Sequence, residues 1–353
     1  MYIKKKYSIK AMITWTRQEI YLFLLIALVP TILYEILDMT FLHLPLMPIT
    51  LIGTAVAFLI GFQNNAAYGR IWEARKIWGG IVNYSRTWTM MIKDMVSNAH
   101  AEEEVSEEEL AQHKRVFVHR HIAWMAALRH AMRKKKPWEV FTDYKTNREW
   151  LKMMHIPEFE NKLEDDLKPL LSGEEHAYVL TKTNKAAALL SLQSKHLREL
   201  KDRGLIWEFS FLELENVLKE FFNLQGKSER IKNFPYPRQY ATLGYDFVWV
   251  FVLLLPFAVI PAFAEIRDGL SGDFDVIKPF FVWLAVPFTA TLSWIFHTMQ
   301  RIGTVGENPF EGSANDVPIS TIARGIEIDL REMIDEGEAE IPEPLPAIYD
   351  VQM

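Results

Sequence analysis

Thr54, Phe58 and Phe62 are the residues of this chain whose types and spacing most clearly suggest a function. They fall at positions i, i+4 and i+8, so an α-helix places all three side chains on one face. Repeated around an axis, such apolar side chains can form a constriction that gates ion flow by dewetting. Aromatic residues that pack or face lipid are the commoner cause of a helical stripe. Because one helix cannot enclose a pore, the pore interpretation requires a cyclic oligomer.

The sequence around this stripe changes from apolar to polar without a proline to stop the helix. The stripe continues to Asn65 and Gly69. Arg70, two turns below Phe62, either pairs with Glu73 or packs between subunits. Small residues, which allow membrane helices to approach closely, are frequent in the same stretch: Gly53, Ala55, Ala57, Gly61, Ala66 and Ala67. The pattern predicts a helix that leaves a bilayer and continues into water.

No sequence motif supports an enzyme, a bound cofactor or a nucleic-acid partner. There is no Walker loop, GxGxxG, GxSxG or EF-hand pattern. The chain has no cysteine, which excludes thiolate catalysis and cysteine-based metal sites. His119 and His121 are two residues apart and face different sides of a helix, so they make a poor metal pair. The net charge of −6 argues against a nucleic-acid binder, which needs clustered cations.

Four apolar blocks predict four membrane helices, at residues 20–41, 46–68, 245–265 and 278–299. Each block reaches the roughly 20 residues needed to cross the hydrocarbon core only with its flanks. Pro30, Pro256 and Pro287 lie inside three of the blocks, and membrane helices tolerate proline because neighbouring groups satisfy the freed carbonyls. A large soluble protein with buried helices is the alternative.

The distribution of Lys and Arg predicts the orientation of these helices. Residues 1–20 are basic, whereas the link between the first two blocks, at 38–45, contains no Lys or Arg. The link at 265–278 is rich in acids. We therefore expect both termini and the middle region in the cytoplasm, with two short links outside. The basic N-terminus has no cleavage-site pattern and is expected to remain as an anchor.

The middle of the chain, residues 70–240, is predicted to be helical and to continue the membrane helices as one domain spanning 1–353. Apolar residues recur at helical spacing over 105–136, with Ser106 as the expected helix start. Further helices are expected at 182–199, ending near Gly204, and at 209–224, ending near Gly226. No strand pattern is present, so the fold class is predicted to be all-α. Residues 300–353 form a cytosolic C-terminal segment.

Three segments together resemble the bacterial bestrophin family. FLIGFQNNAAYGRIWEARKIWGGIVNYSR at 58–86 resembles the second-helix signature of that family. ERIKNFPYPRQY at 229–240 with LLLPFAV at 253–259 is similar to the entry into its third membrane helix. ENPFEGSANDVPISTIARGIEIDLREM at 307–333 is similar to its C-terminal signature. The resemblance implies a homopentameric ion channel in a bacterial inner membrane, with four membrane helices per subunit and a central pore lined by the second helices.

The resemblance also implies which residues narrow the pore. Its hydrophobic neck falls on Thr54, Phe58 and Phe62. Thr54 departs from the aliphatic residue that is usual at the outer ring, so we expect weaker dewetting there. A second, cytosolic constriction in this family follows the Gly-Leu-Ile segment and is expected near Ile206 or Phe209.

The C-terminal signature bears on calcium, since animal members of the family bind it there. Asn308 and Asp316 are retained, but Val305 and Ser313 stand where the animal pattern has Gln and Asp. Calcium needs several oxygen ligands. We therefore expect a degenerate calcium site, in which the turn instead packs the tail against the cytosolic body, and no bound metal.

The charge of the permeating monovalent ion is the remaining question. Animal bestrophins conduct anions, and some bacterial members pass cations. Acidic residues in the outer link favour cations here: Glu265, Asp268, Asp273 and Asp275. The alternative function is a membrane scaffold or regulatory protein that does not conduct ions.

Overall fold

The computed structural model of the chain describes residues 1–270 and 276–353, and these residues are predominantly α-helical. The α-helices, in chain order, are α1 (Ile9–Trp15), α2 (Arg17–Glu35), α3 (Leu46–Met95), α4 (Glu107–Arg133), α5 (Lys145–Leu151), α6 (Pro157–Glu160), α7 (Leu163–Leu167), α8 (Gly173–Leu180), α9 (Lys185–Asp202), α10 (Glu208–Asn233), α11 (Arg238–Gly269), α12 (Ala285–Gly306) and α13 (Ile319–Met333). In the part of the chain that is described, strand pairing is limited to isolated bridges. The all-α prediction is confirmed.

Four helical segments are long and apolar enough to cross a membrane. They are α2, α3, α11 and the segment Lys278–Gly306, which begins as a 3-10 helix and continues as α12. The first of them ends at Glu35, before the predicted boundary at residue 41. Asp38 follows with a φ of 51°, in the left-handed region that stops a helix.

A backbone hydrogen bond explains how α11 accommodates one of its two prolines. Pro261 has no N–H and cannot donate to the carbonyl of Phe257, four residues earlier. The N–H of Leu44, in the link before α3, donates to that carbonyl at 2.8 Å. The freed acceptor is thus satisfied by a neighbouring segment, as proline in a membrane helix requires.

The two ends of the chain pair with each other on the same side of these helices. The N–H of Ile3 donates to the carbonyl of Asp350 at 2.9 Å, and Tyr2 forms an antiparallel bridge with Val351. The buried Val351 and Met353 pack with Met154 and Ile156. This pairing fits a chain that crosses a bilayer an even number of times.

The C-terminal half of α3 is the centre of the soluble body, where α4, α10 and α13 cover one side of it and α9 packs on α4 and α10. Trp88 and Trp124 pack against Phe221 with ring centroids 6.2 and 5.0 Å away. All three side chains are inaccessible to solvent. A single continuous helix, α3, therefore joins the membrane part to the soluble core. Packing of its C-terminal half in the core thus fixes the rotation of its N-terminal half in the membrane part.

The predicted helix boundaries of the body are partly right. The Ser106 hydroxyl accepts a hydrogen bond from the N–H of Glu109 and caps α4, as expected. Gly204 ends the turn after α9 with a φ of 74°, and an added Cβ would collide with the carbonyl oxygen of His100. The stop at Gly226 is wrong. α10 continues to Asn233, because its buried side continues past the glycine with Ser228 and Ile231.

Candidate functional site

One side of α3 is covered by the rest of the chain, and the other side is bare over most of its length. Its 50 residues correspond to about 75 Å at 1.5 Å per residue. The covered side includes Gly53, Val56, Ile60, Ala67, Ala74, Ile77, Trp78, Ile81, Trp88 and Ile92. The bare side includes Met47, Leu51, Thr54, Phe58, Phe62, Asn65, Gly69, Trp72, Lys76, Gly79, Asn83 and Met90. We call the second set the free face of α3.

The free face carries all three residues of the predicted neck. Phe58 and Phe62 are 68% and 59% exposed, and their rings meet edge to face with centroids 4.6 Å apart. Thr54 is exposed one turn before them. Its hydroxyl donates a 2.9 Å hydrogen bond to the carbonyl of Thr50. The Thr54 hydroxyl proton is therefore already hydrogen-bonded within the helix.

Sequence reasoning missed two apolar residues of this face. Met47 and Leu51 are 77% and 65% exposed, further towards the N-terminus of α3 than Thr54. Leu51 precedes Phe58 by seven residues, almost two full turns of an α-helix. A search for seven-residue spacing as well as four-residue spacing would have found both.

Glycines distinguish the two sides of α3. An added Cβ at Gly61, Gly69 or Gly79 would meet no atom within 4 Å, because these residues lie away from the rest of the subunit. At Gly53 an added Cβ would lie 2.8 Å from the ring of Phe251 on α11. Of the small residues predicted to permit close helix contact, Gly53 does so within the subunit, against α11. Gly61 and Gly69 have open space beside them.

A buried polar network holds α3 in place directly after the predicted neck residues. The Gln63 amide donates to the Glu307 carboxylate at 2.9 Å, just after the end of α12. The Arg238 guanidinium, at the start of α11, donates to the other oxygen of Glu307 at 2.6 Å. Burial raises the pKa of Glu307, and the Gln63 and Arg238 contacts oppose that shift. These three residues tie α3 to α11 and α12.

Arg70 strengthens the same junction through backbone carbonyls. Its Nε donates to the carbonyl of Glu307 at 2.7 Å, and its NH2 group donates to the carbonyls of Ile231 and Phe234, each at 2.9 Å. Of the two alternatives predicted for Arg70, pairing with Glu73 is not found, and packing between subunits stays a prediction. Glu73 pairs instead with Arg230 on α10. Arg70 therefore clamps α3 to the segment between α10 and α11.

The two residues predicted for a cytosolic constriction lie in different environments. Ile206 is 2% exposed and belongs to the core of the soluble body. Phe209, in the first turn of α10, is 64% exposed, and its ring packs against Trp207 at 4.7 Å. Of the two, only Phe209 has a side chain that is free to contact another molecule, because the Ile206 side chain is enclosed within its own subunit.

The turn after α12 uses its oxygens internally. The Asp316 carboxylate accepts from the N–H groups of Gly312 and Ser313 at 2.7 and 3.0 Å, and also from the Ser313 hydroxyl. The Asn308 amide lies against Glu311. Over residues 1–270 and 276–353, no cluster of three His, Asp or Glu residues has metal-binding geometry. These residues do not fit a calcium ion, and they close a turn instead.

The acidic outer link is only partly described. Glu265 is exposed, whereas Asp268 lies 2.9 Å from Arg267, which also binds Glu35 at 2.8 Å. The predicted acids Asp273 and Asp275 lie outside the described residues. Arg267 thus offsets part of the negative charge that the sequence places at this end.

The histidines of α4 have structural partners. His121 is fully buried, hydrogen bonds to the Ser85 hydroxyl at 2.8 Å, and has its pKa lowered to about 3 by burial. His119 lies on a different side of α4, against Glu336. The expectation that these two residues do not form a pair is confirmed.

These features define an all-α protein with four candidate membrane helices and a long helix whose aromatic face is free. A family model described as Bacterial/Fungal Bestrophin protein matches residues 9–332, and the chain belongs to that family. Its curated relatives include the voltage-dependent anion channel-forming protein YneE of Escherichia coli K12, 26% identical over 83% of this chain and 78% of the relative. A protein of Ralstonia nicotianae with the same descriptive name is 26% identical over 83% of this chain and 79% of that protein.

Solved structures have the same fold. A bacterial bestrophin homologue from Klebsiella pneumoniae superposes with a TM-score of 0.67 at 24% identity, covering 90% of this chain and 98% of that one. The same homologue, solved by zinc phasing, gives a TM-score of 0.67 at 23% identity. The predicted family is confirmed.

Proposed function

We propose that this chain is the subunit of a homopentameric ion channel in which the free faces of five α3 helices line a central pore. The observation that carries the proposal is the bare face of α3, with Phe58 and Phe62 exposed at membrane depth while the opposite side is packed. Large apolar faces of this kind usually mark an interface. Copies arranged about an axis would cover the sides of the face and leave its centre as a pore.

Cyclic symmetry explains why the free face is not simply lipid-exposed. Asn65, within the predicted membrane segment 46–68, is a polar residue on this face that a lipid surface would not accommodate, and the same face continues into the soluble body with Lys76 and Asn83. A water-filled axis accommodates both parts of the helix. The family resemblance supports five as the number of subunits, and the names of the relatives support conduction.

One observation favours a monovalent cation as the permeating ion, and another favours a monovalent anion. The exposed Glu265 and Asp268 of the outer link favour cations. The relatives are named as anion channel-forming proteins. The pairing of Asp268 with Arg267 weakens the first argument, because it reduces the negative charge available at the mouth.

The pairing of the two chain ends supports a topology with both termini on one side. The Lys-rich N-terminal segment supports the cytoplasm as that side. For a bacterial member of the family, the inner membrane is then the site of action.

Planar bilayer recording under a KCl gradient tests the proposal. Single-channel events with a reversal potential away from zero are expected, and the sign of that potential identifies an anion or a cation. A correctly assembled, stable oligomer that gives no events would instead support the non-conducting scaffold. The oligomer mass, measured on the same preparation, tests the number of subunits independently.

A further inference from the structure

An apolar cavity of about 220 Å³ lies beneath the short helix α1, and none of the residues that line it belongs to α3. Its walls come from α1, α5, the end of α12 and the loop that follows α12. Aromatic and aliphatic side chains dominate the lining: Tyr7, Met12, Trp15, Phe141, Trp150 and Ile302. α1 contributes no buried residue, so it covers the cavity without sealing it.

The walls of this cavity are held rigidly. The indole N–H of Trp15 donates to the Asn147 side-chain oxygen at 2.7 Å. The guanidinium of the fully buried Arg301 stacks on the Trp15 ring at 4.2 Å and also binds Glu19 at 2.8 Å. On the opposite side, the Tyr7 hydroxyl donates to Asn315 at 3.2 Å. These contacts hold the cavity walls apart and keep the cavity open.

Its position is at the boundary between bilayer and cytosol. α1 ends at Trp15, and the first candidate membrane helix begins at Arg17. Ile302 belongs to the last turns of α12, the fourth candidate membrane helix. The cavity thus lies at the level where lipid headgroups meet the start of the hydrocarbon.

The outer side of α1 matches an anionic lipid surface. Ile9 and Ile13 are 74% and 46% exposed, as in a helix that lies in the membrane interface. Within the described part of the chain, Lys5, Lys6 and Lys10 form no ion pair, whereas Lys4 pairs with Asp350 and Arg17 pairs with Glu149. These unpaired cations next to an apolar cavity combine the two signals that hold a lipid, hydrophobic insertion and charge.

We propose that this cavity takes up an acyl chain of an anionic phospholipid, whose phosphate is bound by Lys5, Lys6 and Lys10. Apolar cavities of similar size remain dry and accept apolar ligands, with about 150 Å³ sufficient for a small aromatic molecule. A lipid chain is the occupant that is present at this depth. The site is separate from the neck, so its occupation does not depend on ion conduction.

Native mass spectrometry of the full-length oligomer tests the site. The protein is taken from nanodiscs of phosphatidylcholine alone or mixed in equal parts with phosphatidylglycerol, and retained lipid is counted per subunit. Ala11→Trp fills the cavity from α1, and Ile9→Trp adds the same bulk on the exposed side of the same helix. Ala314→Leu fills the cavity from the opposite wall and serves where Ala11→Trp does not assemble.

Wild type and Ile9→Trp are expected to retain phosphatidylglycerol in preference to phosphatidylcholine, and Ala11→Trp is expected to retain about tenfold less. Replacing Lys5, Lys6 and Lys10 by Gln is expected to remove the preference for phosphatidylglycerol while some lipid remains. Equal retention by Ala11→Trp and Ile9→Trp would overturn the proposal. If Ala11→Trp does not assemble, Ala314→Leu decides, and loss of the oligomer in both variants would assign this region to a subunit contact and overturn the proposal too.

Discussion

The side-chain amide of Gln63 and the carboxylate of Glu307 lie 2.9 Å apart, directly below the aromatic pair of α3. Gln63 is the residue next to Phe62, and Glu307 follows the last residue of α12. Arg238 completes the contact from the start of α11. Three candidate membrane helices are thereby fixed to each other at one level, so the orientation of Phe58 and Phe62 depends on a polar contact next to them.

Gln63→Met is expected to destabilise the subunit by about 1–3 kcal/mol, the usual cost when a buried hydrogen-bonding group loses its partner. Methionine keeps the length of the side chain but cannot donate to Glu307. Thermal unfolding of the detergent-solubilised protein, followed by tryptophan fluorescence, measures the change. Asn83→Met, on the free face of the same helix, is the matched control and should shift stability by no more than about 0.5 kcal/mol. Equal shifts for the two variants would contradict the anchoring role.

Phe58→Ala combined with Phe62→Ala is expected to increase ion flux through the assembled protein. Removing both rings widens the constriction and lowers the cost of wetting it. Flux into liposomes and single-channel conductance measure the effect. Phe247→Ala, on the exposed side of α11, removes one aromatic ring outside α3 and should leave conductance unchanged. Unchanged flux in the double variant, with assembly intact, would contradict the assignment of Phe58 and Phe62 to the neck.

Ile206→Ala and Phe209→Ala are expected to have opposite phenotypes. Ile206 is buried, so its truncation should cost about 2–5 kcal/mol of stability. Phe209 is exposed, so its truncation should leave stability nearly unchanged and alter conductance or rectification. Unfolding curves and single-channel recordings of both variants decide between these roles. A conductance change confined to Ile206→Ala would reverse the assignment.

The sequence predicted the four candidate membrane helices, the helices α4, α9 and α10, and the shared face of Thr54, Phe58 and Phe62. It did not predict the short helices α5 to α8 or the contacts that each side chain makes. Four apolar blocks and the i, i+4, i+8 spacing of Thr54, Phe58 and Phe62 are local patterns, so periodicity was sufficient for them. The partners of Gln63 and Arg70 lie far away in the chain, and their hydrogen bonds depend on how helices pack. No local pattern could have separated the Arg70–Glu73 pairing from the observed one.

Ile206 and Gly226 illustrate the same limit in the soluble body. A family register placed Ile206 near a constriction, but only packing shows that its side chain is enclosed by the core. Gly226 is a weak helix former, yet α10 continues through it because tertiary contacts on either side outweigh a propensity cost of about 1 kcal/mol. Burial of the α10 face therefore outweighs the low helix propensity of Gly226.

Calcium is expected to have no effect on this protein. The Asp316 oxygens are occupied by the N–H groups of Gly312 and Ser313, which leaves no open carboxylate for a cation. Single-channel activity recorded with calcium and then with excess chelator should be the same. Asp316→Ala should instead lower stability, by about 1–3 kcal/mol, because it leaves buried donors unpaired. A reversible change in activity on chelation would contradict this prediction.

Glu311 is expected to make stability depend on pH. Burial, with repulsion from Glu139 and Asp316, raises the pKa of this carboxyl from 4.5 to about 8. Between these two values the folded state holds a proton that the unfolded state has lost. Stability contributed by the neutral carboxyl is therefore fully present below pH 4.5 and is lost as pH rises towards 8.

Glu311→Gln isolates this effect, because glutamine has the same shape and stays neutral at every pH. It can still accept from the N–H of Phe141, as Glu311 does at 3.0 Å. The variant should match wild type near pH 5 and exceed it by a few kcal/mol, on the order expected for a shift of this size, above pH 8. Unfolding midpoints measured at intervals between these pH values check the trend. A constant difference between the two proteins across the range would show that Glu311 is ionised in the folded state throughout.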